Sequence, residues 1–132
     1  MPNLKYPIFN YKIAPKNEGS NDMECWIDGD IVSGEEKDFY DSYLGENSLT
    51  SFNSFRDSIH ASKPTSLKIN INSAGGSLSE GIAIHDFIKD CIKDGIDVST
   101  YGIGLVASSA TLPFLAVEVS KRHLSDNTLM IV

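Results

Sequence analysis

One short stretch limits the possible folds more than any other: Ile69-Asn70-Ile71-Asn72-Ser73-Ala74-Gly75-Gly76-Ser77. Leu67, Ile69 and Ile71 alternate with Lys68, Asn70 and Asn72, the period of a strand with two unlike faces. The glycines that follow admit backbone conformations closed to residues with a Cβ, and they let another group approach their N–H donors. Ser77 and Glu80 have the spacing of a capping box, which predicts a helix beginning there. A strand, a glycine turn and a helix N-terminus together make a place to hold negative charge: a phosphate, a carboxylate or a developing oxyanion.

The predicted helix is the clearest in the chain. Ile84, Phe87, Ile88, Cys91 and Ile92 share one face, and His85, Asp86, Lys89, Asp90, Lys93 and Asp94 the other, with Gly95 as the stop. Val98 to Ile103 reads as the next strand, completing a parallel β-α-β unit. A second small-residue turn follows, Gly104-Leu105-Val106-Ala107-Ser108-Ser109-Ala110-Thr111, ahead of an apolar helix from Phe114 to Val117. In a parallel unit both strand ends reach the same edge of the sheet, so the Gly75-Gly76 and Ser108-Ser109 turns should face one another. One offers N–H donors and the other hydroxyls. A serine nucleophile needs such donors, because attack on a carbonyl creates an oxyanion. From the residues alone the same serines also read as helix caps.

Upstream, Tyr6, Ile8, Tyr11 and Ile13 suggest an edge strand weakened by Pro2, Pro7 and Pro15, and residues 16–22 a polar loop. Cys25 to Val32 reads as a strand with a turn or bulge at Gly29. Ser33 is placed to cap a helix from about Gly34 to Gly45, with Phe39, Tyr40, Tyr43 and Leu44 as its apolar face. A second helix fits Thr50 to Ala61, with Phe52, Phe55, Arg56 and Ile59 at helical spacing. Val119 to Leu124 and Thr128 to Val132 read as strands. Gly102-x-Gly104-x-x-Ala107 also matches a dinucleotide-binding fingerprint, a common short match that no second β-α-β half follows here.

A chain of 132 residues is one domain by size. Its net charge of −7 leaves no basic stripe for displacing counterions from phosphates, which argues against nucleic acid as a partner; Lys121-Arg122 reads as a solvated strand edge. No apolar run reaches membrane-spanning length, and residues 1–5 lack a signal-peptide pattern, so the expected location is a cytoplasm. Cys25 and Cys91 lack metal-ligand spacing and read as buried reduced thiols; no metal or cofactor is expected.

Three segments in this order carry a resemblance: residues 71–77, Gly81-Ile82-Ala83-Ile84-His85-Asp86, and Gly104-Leu105-Val106-Ala107-Ser108-Ser109. Together they resemble the Clp protease proteolytic subunit, and more closely the Clp-like prohead proteases of tailed phages. Ile27-Asp28-Gly29-Asp30-Ile31 is similar to the first strand of these proteins, so the resemblance covers about residues 25–132. It implies an α/β fold of repeated β-β-α units around a parallel sheet, shared with crotonases and incomplete at the C-terminus. Residues 1–22 are then an N-terminal extension and 23–132 the peptidase domain. It further implies Ser108 as nucleophile, Gly76 and Ser109 as oxyanion-hole N–H donors, and Gly75, Gly76, Ser77 and Leu78 as the edge on which an extended peptide adds as a strand. Implied partners are scaffold, capsid or unfolded protein substrates, further copies of the full-length chain and an unfoldase, in a host cytoplasm or a virion if phage-encoded.

The sequence departs from the family in its histidine. Aligned from Ser108 without gaps, the family's catalytic histidine falls one residue beyond Val132, and with one residue deleted it falls on Val132 itself; the third triad member lies further on. The reading is a piece of a longer protease, inactive alone, because a serine without a base is a weak nucleophile. His60, His85 and His123 read as surface residues. Pro113 predicts a kink or a later start for the helix after Ser108. The competing readings are a catalytically inactive structural subunit and a crotonase-like acyl-thioester enzyme.

Overall fold

The computed structural model describes residues 12–43 and 49–132. Six strands form one sheet: β1 (Ile13–Pro15), β2 (Asp22–Asp28), β3 (Ser66–Ser73), β4 (Asp97–Ala107), β5 (Arg122–Leu124) and β6 (Leu129–Ile131). Their order is β1-β2-β3-β4-β5, with β6 also paired to β4; β1 is antiparallel to β2 and every other pair is parallel. The helices are α1 (Gly34–Tyr43), α2 (Phe52–Ser62), α3 (Leu78–Lys93) and the single turn α4 (Thr111–Phe114). The expected unit β3-α3-β4 is present, with β3 and β4 adjacent and parallel.

The alternation read in β3 is the core-forming one. Leu67, Ile69 and Ile71 are fully buried, with Ile27, Ile31, Ile84, Ile88, Val106 and Phe114 in the same cluster. Burying each such side chain contributes about 1.5–3 kcal/mol, well above any propensity term. Asn70, on the other face, is also buried; its amide donates to the Glu24 carboxylate at 2.9 Å and the Cys25 carbonyl at 3.3 Å, which satisfies it there.

Several boundaries differ from expectation. β2 stops at Asp28 because Gly29 turns the chain with φ +67°, and Ile31 then makes isolated parallel bridges to Thr50 and Gly76. In α1 the expected apolar face is outward: Phe39 is 53% and Tyr43 77% exposed, while Lys37 is buried and pairs with Asp41 at 2.7 Å. Leu44 and Gly45 lie outside the described residues, as do Tyr6, Ile8 and Tyr11.

Downstream, β4 runs on through Ala107, so the second turn begins at Ser108 and not at Gly104. The extra length is a bulge: Ile71 pairs with Gly102, but Ser73 pairs with Val106. Gly104 takes φ +88° there, and the Asn72 side chain occupies the space beside it. The dinucleotide fingerprint therefore lies inside a strand and forms no strand-to-helix turn. The helix expected from Phe114 to Val117 is the turn Thr111–Phe114, preceded by a 3-10 turn over Ser108–Ala110. Pro113 sits in the first helical turn, where its missing N–H has no intrahelical acceptor to lose. Residues 119–121 form a 3-10 turn, and only Arg122–Leu124 of that expected strand is β.

Candidate active site

At the carboxyl edge of the sheet the two turns touch. A Cβ built on Gly75 would lie 2.7 Å from the Ala107 carbonyl oxygen, 2.8 Å from the Ser108 Cβ and 2.9 Å from the Ser109 nitrogen. Real Cβ atoms do not approach that closely, so the Ser108 turn packs where only glycine leaves room. On another side, a Cβ on Gly76 would stand 2.2 Å from the Ile31 carbonyl oxygen. The Gly75–Gly76 turn is thus pressed between two pieces of backbone.

Ser108 is at φ +54°, the left-handed region that a residue with a Cβ enters at a cost of about 1–3 kcal/mol. Two bonds to its carbonyl help to hold it there: Thr111 donates from its hydroxyl at 2.7 Å and from its N–H. The consequence is a serine exposed at the strand end while Ala107, Ser109 and Ala110 around it are buried. The local sequence explains this. Ala107 and Ala110 are small enough to bury flush, and Thr111 supplies the polar anchor.

The Gly75–Ser77 segment is a short parallel strand against Ile31. The Ile31 N–H donates to the Gly75 carbonyl at 2.9 Å, and the Ser77 N–H donates to the Ile31 carbonyl at 2.8 Å. Gly76, exposed between these two bonds, gives neither its N–H nor its C=O to that bridge. Ser77 caps α3, its hydroxyl accepting the Glu80 N–H at 3.3 Å, and Leu78 projects into solvent at 63% exposure. The capping box does not close, because the Glu80 carboxylate goes elsewhere, to the Phe52 N–H at 3.0 Å.

Ser108, Ser109, Gly75 and Gly76, named from the sequence, are therefore in one place, with Ser77 and Leu78 along the adjoining edge. β6 flanks them: its last pair joins Ile131 to Ala107, the residue before Ser108. The three histidines have other surroundings. His85 bonds Asp86 at 2.9 Å, His60 meets the Phe87 ring edge-on, and His123 stacks on Tyr101 with ring centroids 4.4 Å apart. His123 pairs in register with Tyr101, seven residues and about 20 Å of strand before Ser108. Sequence reasoning missed Ile31, Asn72 and Ser73. Ser73 is buried; its hydroxyl donates to the Gly29 carbonyl at 2.6 Å and accepts the Gly75 N–H at 3.1 Å. Asn72 accepts the Leu105 N–H at 3.2 Å. Among the described residues no cluster of three or more His, Cys, Asp or Glu is placed to hold a metal, and no helix is long and apolar enough to cross a membrane.

A family model described as Clp protease matches residues 57–132, which include both turns. Over 66 residues the chain is 39% identical to the ATP-dependent Clp protease proteolytic subunit 2 of Chlamydia pneumoniae, covering 50% of this chain and 31% of that protein. Over 62 residues it is 40% identical to the ATP-dependent Clp protease proteolytic subunit of Bdellovibrio bacteriovorus, covering 47% and 28%. Among solved structures it is similar to ClpP1 from Listeria monocytogenes, with a TM-score of 0.58 at 26% identity, covering 81% of this chain and 54% of that one. The ClpP protease catalytic domain from Plasmodium falciparum, at 24% identity and a TM-score of 0.55, shares the fold. The chain thus spans about half the length of these solved structures and about a third or less of the two proteolytic subunits.

Proposed function

The chain belongs to the Clp protease family, and from that membership we propose that it carries the nucleophile and oxyanion hole of a serine endopeptidase. Ser108 attacks the peptide carbonyl, and the N–H groups of Gly76 and Ser109 receive the oxyanion. The observation that supports this best is the contact of the two turns. It brings an exposed serine on a left-handed residue against a glycine whose neighbour, Gly76, keeps its N–H out of the sheet pairing. An extended substrate segment adds along residues 75–78 on the side not taken by Ile31.

The base this reading requires is the family's histidine, which the gap-free alignment from Ser108 sets next after Val132. β6 supports this assignment, since its last pair lies beside Ala107. With that base the proton of Ser108 passes to imidazole during attack and then to the leaving amine, and water resolves the acyl-enzyme. Substrates are unfolded or extended protein segments, and the complete protein acts as an oligomer fed by an unfoldase. The finer reading, a phage head-maturation protease acting on scaffold or capsid protein, rests on motif resemblance. A structural subunit without activity is the second reading, favoured by the separate surroundings of His60, His85 and His123.

The test is hydrolysis of a fluorogenic peptide by the product of the complete reading frame, with labelling by a fluorophosphonate. Turnover and labelling that both vanish in Ser108→Ala support the peptidase. A folded protein that neither turns over substrate nor takes the label points to the structural subunit.

A further inference from the structure

We infer that Ser73 is a positioning residue for the oxyanion hole, locking the glycine turn so that the Gly76 N–H faces away from Ile31; the inference rests on the reading of Gly76 as an oxyanion donor. A trans peptide is planar, and its C=O and N–H point in opposite directions. The Gly75 carbonyl and the Gly76 N–H belong to one such plane. Because Ile31 draws the carbonyl toward itself, the Gly76 N–H is driven to the opposite side. The donor's direction is thus set by which way this one peptide plane is turned.

Two glycines in succession make that plane easy to flip, since neither has a Cβ to oppose rotation. The two Ile31 bonds hold the planes on either side of Gly76, through the Gly75 carbonyl and the Ser77 N–H. Ser73 holds the plane before them. Its hydroxyl accepts the Gly75 N–H and donates to the Gly29 carbonyl. Gly29 and Ile31 belong to the same short segment after β2, and Gly29 is itself tied to β3 through its N–H and the Asn72 carbonyl at 3.2 Å. Both peptide planes flanking Gly75 are therefore anchored to residues 29–31, and the rotation between them is fixed. Ser73 is 2% exposed, so water does not replace either of its bonds. Without the hydroxyl, the Gly75 N–H and the Gly29 carbonyl lose a shared partner, and the plane before Gly75 loses its anchor, leaving the two Ile31 bonds to hold the turn by themselves.

The experiment compares the product of the complete reading frame, as parent, with its Ser73→Ala and Ser73→Cys variants. The cysteine keeps nearly the same volume with a poor hydrogen-bonding group, and it decides the outcome if the alanine variant does not fold. The first readout is the orientation of the Gly75 and Gly76 N–H vectors from residual dipolar couplings. The second is kcat and KM on a fluorogenic peptide, with the affinity for a peptide boronate that mimics the tetrahedral adduct. The expected result is a changed Gly76 vector, a kcat lower by about ten- to a hundredfold with KM within about twofold, and boronate affinity weakened in step with kcat. A Gly76 vector unchanged in a folded variant overturns the inference, as does activity that falls only with the folded fraction. If the parent shows no Ser108-dependent turnover, the peptidase reading fails, and the Gly76 vector alone still decides whether Ser73 sets its direction.

Discussion

The carboxylate of Glu80 accepts the backbone N–H of Phe52 at 3.0 Å, so the first turn of α3 caps the start of α2 across 28 residues of sequence. The N-cap of α2 is Ser51, whose hydroxyl takes the Ser54 N–H, and Glu80 takes one of the donors that Ser51 leaves. Helix starts carry four such donors, and a carboxylate there also meets the positive end of the helix dipole. Glu80→Ala should lower stability by about 1–2 kcal/mol, and Glu80→Gln, which keeps an acceptor but loses the charge, by less. Urea denaturation of the three proteins checks the order. Equal stability for all three would mean that water serves the Phe52 N–H as well.

Among the described glycines, Gly76→Ala should be the most damaging change. The new Cβ meets backbone, the Ile31 carbonyl at 2.2 Å, at φ +141° where a side chain is already strained. Relief requires breaking the Ile31 bridge, at a combined cost of about 2–4 kcal/mol from strain and two lost backbone bonds. The measurement is the urea midpoint together with fluorophosphonate labelling of Ser108. Both should fall, and a variant that retains parent-level labelling would remove Gly76 from the oxyanion hole.

The parts of this site that were legible in the sequence are those written in consecutive residues. Alternation announced β3, the paired glycines announced the turn, and parallel topology placed Ser108 beside it. What was not legible depends on partners far along the chain. Ser73 reaches Gly29 across 44 residues and Glu80 reaches Phe52 across 28, and no local period encodes either bond. The bulge in β4 was hidden for a similar reason. Gly102 and Gly104 look like turn residues, but they are small because Leu124 and Asn72 pack against them. In α1 the aromatic spacing was helical, yet Lys37 and Asp41 took the inner face, so periodicity gave the helix and mistook its orientation.

Arg122, read from sequence as half of a solvated basic pair, is a clamp. Its Nε donates to the Val117 carbonyl at 2.9 Å and its Nη2 to the Leu115 carbonyl at 3.1 Å, tying β5 to the chain leaving α4. Lysine has no fork with which to serve both. Arg122→Lys should therefore cost about 1–2 kcal/mol despite keeping the charge, while Lys121→Arg, at an exposed pair with Asp97, should cost under about 0.5 kcal/mol. Thermal melts of both variants test the contrast, and equal losses would contradict the clamp.

Stability should pass through a maximum near pH 9. Burial is the main cause lowering the Lys12 pKa from 10.5 to about 8, against the attraction of Asp28. The unfolded chain then holds more protons than the folded one between those values. The penalty for charging Lys12 is complete below pH 8 and is relieved as pH rises toward 10.5. The thiols act with the opposite sign. Burial raises Cys91 from 9.0 to about 11 and pushes Cys25 well above its ordinary range. Above pH 9 the unfolded chain loses thiol protons that the folded chain keeps, so their contribution falls as pH rises. Denaturant midpoints measured from pH 7 to 10.5 should rise to about pH 9 and then flatten or fall. Lys12→Met should remove the rising limb, and Cys25→Ala about half of the falling one. A parent curve that declines steadily from pH 7, unchanged by Lys12→Met, would show that the Lys12 ammonium is as well solvated in the folded chain as in the unfolded one.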